Sequence, residues 1–137
     1  MSVVLRVAGV YNLAWGTWAI LFPRLSFAYS GMEDPQNPLD YPQLWQCIGM
    51  IVGVYGVGYW LAARDPTRHW PVVLVGLLGK VFGPIGLVMG AIQGQTRMDA
   101  VYTTVPNDLI WWVPFGLILR HAYRVSNTSS ASKNSES

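Results

Sequence analysis

An all-helical, membrane-embedded four-helix bundle is the fold class this sequence predicts, and three observations predict it. Only 12% of the 137 residues are charged, about half the share usual in soluble domains. Four apolar segments divide the chain, at 3–22, 42–63, 70–92 and 107–123. The longest suffices for a helix to cross a hydrocarbon core of about 30 Å. The stretches between them are short and hold most of the charge and proline. One domain is all the length allows.

The first segment, Val3 to Phe22, is closed by Pro23. Arg6 near its start can snorkel to the headgroups, and the deeper Asn12 is expected to hydrogen-bond across helices. The apolar run continues to Phe22 without a good small-residue cleavage site, so a signal peptide is not expected. The loop from Arg24 to Tyr41 has room for a short interfacial helix around Leu25 to Tyr29. The second segment begins at Tyr41-Pro42, ends at Arg64-Asp65-Pro66, and carries Gly49, Gly53 and Gly56.

The third segment, WPVVLVGLLGKVFGPIGLVMGAI from Trp70 to Ile92, organises the rest. Gly76, Gly79, Gly83, Gly86 and Gly90 are spaced three, four, three and four apart, which aligns them on one helical stripe. The second and third helices are therefore expected to pack closely through glycine faces. The fourth segment opens at Pro106-Asn107-Asp108, where Asn107 or Asp108 would cap a helix, and Pro114 predicts a kinked, tilted or partly re-entrant course. The stretch from Ser126 to Ser137 is polar and aperiodic, as in a disordered tail. No internal repeat stands out.

Charge predicts orientation. Arg64, Arg68 and His69 against Asp65 occupy one loop, and Arg120, Arg124 and Lys133 follow the last segment. The other two loops hold Glu33, Asp34, Asp40, Asp99 and Asp108 with only Arg24 and Arg97. The positive-inside rule then puts both termini in the cytoplasm of a multi-pass inner-membrane protein. Trp18, Trp45, Trp111 and Trp112 fall near the outer boundary of that arrangement, and Trp60, Trp70 and Tyr123 near the inner one, as interfacial belts do.

Lys80 is the one cation deep inside an apolar run. At mid-bilayer it costs about 2.5–3.5 kcal/mol on insertion scales and needs compensation. Tyr11, Asn12, Tyr55 and, if the fourth helix dips inward, Asp108 are the expected partners. Two readings stand: an anion or proton site within the bundle, or a lysine bonded to carbonyls freed at Gly83-Pro84. Gln46 and Cys47 beside Trp45, with Asn107, Asp108, Trp111 and Trp112, form an outer cluster that either lines a small cavity or anchors helices at the interface. Cys47 is also the sole candidate redox thiol. A single cysteine excludes an internal disulfide, a CxxC pair and a cysteine-rich metal site. His69 and His121 lack ligand spacing, so no metal site is expected. A net charge of +2 does not suggest nucleic acid as a partner.

The motifs RVAGVYNLAWGTW, WQCIGMIVGVYGVGY, AARDPTRHWP, VGLLGKVFGPIG and NDLIWWVPF cover most of residues 6–118. Through them the chain resembles small bacterial four-helix membrane proteins of unknown function, some labelled alkyl hydroperoxide reductase, and it is loosely similar to DoxX-like proteins. The resemblance implies the four-helix membrane fold and supplies no catalytic residue or cofactor. The functional expectation is a non-enzymatic membrane module or accessory subunit held by glycine packing. Its partners would be the bilayer and a second copy or another membrane protein. The alternatives are a small carrier or binding protein for a lipid, quinone or small anion, using Lys80 and the outer cavity, and a thiol redox enzyme using Cys47.

Overall fold

Prolines set where most of the helices begin. Pro23, Pro42 and Pro71 stand in the first turns of α2 (Pro23–Tyr29), α3 (Pro42–Ala62) and α4 (Trp70–Ile92), where a missing N–H costs nothing. α1 (Ser2–Leu21) precedes them. A 3₁₀ segment (Met98–Thr103) and a π-helical turn (Val105–Leu109) lead into α5 (Ile110–Asn134). The computed structural model describes residues 1–33 and 38–134, with side chains as far as Thr128, and no strand occurs among them.

α1, α3 and α4 run within a residue of the first three apolar segments, and each is long and apolar enough to cross a membrane. The fourth segment differs. Its α-helix starts at Ile110, after the π turn, and continues to Asn134 through residues expected in a disordered tail. Residues 135–137, and 34–37 of the first loop with Asp34, lie outside the described residues. Large apolar side chains stand on the outer surface, among them Val54 at 70% exposure and Phe82 at 63%. In water such faces would be a broad sticky patch; in hydrocarbon they are simply solvated.

The glycine-to-glycine contact is not the expected one. It joins α1 to α3, where Gly9 meets Gly56 and Gly16 meets Gly49 in antiparallel sense. A Cβ on Gly16 would lie 2.5 Å from the Gly49 carbonyl oxygen and 2.9 Å from the Gly53 nitrogen. Gly53 itself presents its backbone to α1 while its own Cβ position is open. On α4, a Cβ added to Gly79 or Gly86 would meet none of the described neighbours within 4 Å, one on Gly83 only Asp108 and one on Gly90 only Thr96. Gly76 is the exception, because the Tyr59 ring fills the place of its side chain.

Two clusters form the core. The larger joins Leu5 and Ala8 of α1, Tyr59 and Ala62 of α3 with the adjoining Ala63, Val73 of α4, and Trp111, Phe115 and Ile118 of α5. Tyr59 meets Phe115 edge-on, with centroids 5.1 Å apart at 78°. The smaller holds Ala19, Leu39 and Trp45. Trp45 meets Trp15 and Phe27 edge-on and donates from Nε1 to Ser26 Oγ at 2.9 Å, with Ser26 fully buried. Trp45→Phe keeps most of the packing and removes that donor. Its expected cost is about 1 kcal/mol, readable as a lower unfolding midpoint in detergent; an unchanged midpoint would show that the bond contributes nothing net.

Candidate ligand cavity

α3 and α4 touch where Val72 packs on Gly58 and Tyr59 on Gly76. Beyond that point a cavity of about 1080 Å³ separates them. Ile48, Ile51 and Val52 form its α3 wall, Lys80, Gly83 and Leu87 its α4 wall, and Tyr11, Asn12, Trp15 and Trp18 its α1 wall. Tyr102 and Thr104, from the 3₁₀ segment and the residue after it, and Asn107 and Asp108 from the π turn complete it. The lining is largely apolar and aromatic, with a few polar groups, as in small-molecule sites generally.

The polar groups gather around Lys80. Its Nζ donates to the backbone carbonyl of Asn107 at 2.7 Å, stands 3.7 Å from Asp108 Oδ1, and lies 5.8 Å from the Trp111 ring centre. The π turn makes this possible, because its irregular backbone turns the Asn107 carbonyl and the Asp108 side chain toward Lys80. Pro84 has no N–H to offer the Lys80 carbonyl four residues earlier. Trp112 Nε1 donates to that carbonyl instead, at 3.0 Å. A carbonyl is thus freed by the Gly83-Pro84 break, but an indole takes it and not an ammonium.

Asn107 and Asp108 were expected as helix caps. In the structure Asn107 Oδ1 accepts from the Tyr11 hydroxyl at 3.1 Å, and the Asp108 carboxylate faces Lys80. Of the residues expected at a ligand site, Lys80, Asn12, Tyr55, Asn107 and Asp108 share the cavity. The other four do not line it. Gln46 donates from Nε2 to the Ile20 carbonyl at 2.9 Å, satisfying a last-turn oxygen of α1. Cys47 is exposed on α3. Trp111 is buried against Tyr11 and Phe115, its Nε1 without a hydrogen-bond partner among the described residues. Trp112 serves the α4 backbone as described.

Sequence reasoning missed the upper wall. Trp15, Tyr29, Met32 and Tyr102 line the cavity, and nothing in their spacing announces it. Away from the cavity, Arg97 donates to Asp99 from Nε at 3.0 Å and from Nη2 at 2.6 Å, and these bonds hold the Asp99 carboxyl below its ordinary range. Among the described residues no three His, Cys, Asp or Glu side chains come together.

No protein-family model, curated protein or solved structure matches the chain.

Proposed function

We propose that this is an integral inner-membrane four-helix bundle with cytoplasmic termini that binds a small amphiphile drawn from the bilayer. The cavity between α3 and α4 carries this reading: an aromatic and aliphatic chamber holding one matched ion pair. The Lys/Arg bias of the 64–69 loop and the C-terminal flank supports the orientation. The apolar half of α5 supports a fourth crossing. The alternative, a non-enzymatic accessory subunit, draws less on these glycines: Gly9, Gly16, Gly49 and Gly56 pack against each other within the chain, and Gly79 and Gly83 line the cavity. A thiol enzyme is less well supported still, since Cys47 stands outside the chamber.

Native mass spectrometry of the protein, purified in mild detergent from its own membranes, tests the binding reading. The wild type is expected to carry an apolar adduct of a few hundred daltons. Gly79→Phe should lose it while remaining folded, because Gly79 lines the cavity and a side chain there meets open space. A bare wild type, or an adduct equally retained by the filled variant, would refute binding in this chamber.

A further inference from the structure

The geometry points to a ligand whose polar end is uncharged and donates a hydrogen bond to Asp108, an inference that rests on the cavity being a binding site. Lys80 is already matched in charge: a carboxylate stands 3.7 Å away, and the Asn107 carbonyl accepts a hydrogen bond from Nζ. The pair is matched in charge, so an anion would leave a net charge in the cavity, while two of the three Lys80 donors stay open to an uncharged oxygen. Asp108 is open in the complementary sense. An ionised carboxylate has about four lone-pair positions, and 3.7 Å is too long for a hydrogen bond. None of the described residues donates to it within 3.5 Å, although its side chain is only 15% exposed and lines the cavity.

A second polar group points the same way. Asn12 is 4% exposed and lines the cavity, and its carboxamide has no hydrogen-bond partner among the described residues. It offers both a donor and an acceptor. A hydroxyl can accept from that donor and give its single proton to a carboxylate, whereas a charged head would unbalance a neutral pair in a medium of low dielectric. An anionic head meets Asp108 and a cationic one meets Lys80. The ligand class is thus a hydroxyl-bearing amphiphile, its chain or ring laid along Ile48, Ile51, Val52 and Leu87.

Trp15, Trp18 and Trp45 line the cavity, so bromine-labelled alkyl probes report occupancy by quenching their fluorescence. Three probes of one chain length, with hydroxyl, carboxylate and trimethylammonium heads, are titrated into delipidated wild-type protein in micelles. The hydroxyl probe is expected to bind about tenfold more tightly than either charged one, a difference any titration resolves. Asp108→Asn leaves Lys80 unmatched and should shift preference toward the carboxylate; Lys80→Met should shift it toward the ammonium. A carboxylate or ammonium probe that binds wild type as tightly as the hydroxyl overturns the inference while leaving the cavity a site. Failure of all three to quench removes the binding reading and this inference with it. Should either variant not fold, the wild-type ranking alone decides.

Discussion

Gly16→Ala is expected to cost about 1–3 kcal/mol of stability, the usual penalty for overpacking a close contact. The atoms that a Cβ would strike are the backbone oxygen of Gly49 and the backbone nitrogen of Gly53. Neither can swing aside as a side-chain tip would, so α1 and α3 must separate along their length. The contact recurs two turns away at Gly9 and Gly56, and separation would weaken that pair too. Gly86→Ala is the matched control. It sits inside α4, where an added Cβ would meet none of the described neighbours within 4 Å, and alanine should gain up to about 1 kcal/mol there through helix propensity. Unfolding midpoints in one detergent compare the two directly. Equal destabilisation by both, or by neither, would show that the α1–α3 glycine contact does not hold the bundle.

The second large effect concerns the ion pair. Lys80→Met and Asp108→Asn should each cost about 3 kcal/mol, because each leaves its partner's charge buried and unpaired. The double substitution removes both charges and should recover most of that loss. The Asn107 carbonyl then loses its donor, so recovery is incomplete. Additive losses in the double variant would mean that the two residues act separately, and the cavity would then hold no matched pair.

How far the sequence reveals this arrangement varies by residue. Hydropathy alone predicts an all-helical chain with four apolar segments, because the bilayer admits few alternatives, and three of them are helices long and apolar enough to cross a membrane. Lys80 stands out because a deep cation demands a partner, and Asp108 follows if the fourth helix turns inward. The glycine pairing is another matter. α1, α3 and α4 all carry small residues at helical spacing, and spacing does not say which stripe faces which. α3 turns Gly49 and Gly56 to α1, and α4 meets it at Gly58 and Tyr59. Gln46 reads as a ligand group from composition, yet its role depends on where α1 ends in space. Tyr102 reaches the cavity from a 3₁₀ segment that hydropathy passes over.

Hydrocarbon is the solvent that the exposed faces of α1, α3 and α4 require. Purification of the full chain with and without detergent, followed by light scattering and circular dichroism, tests this most directly. A helical, monodisperse particle is expected only in micelles or nanodiscs, with aggregation once detergent is withdrawn. A chain that stays helical and monomeric in plain buffer would contradict it, because faces bearing Val54 and Phe82 could not then be meeting lipid.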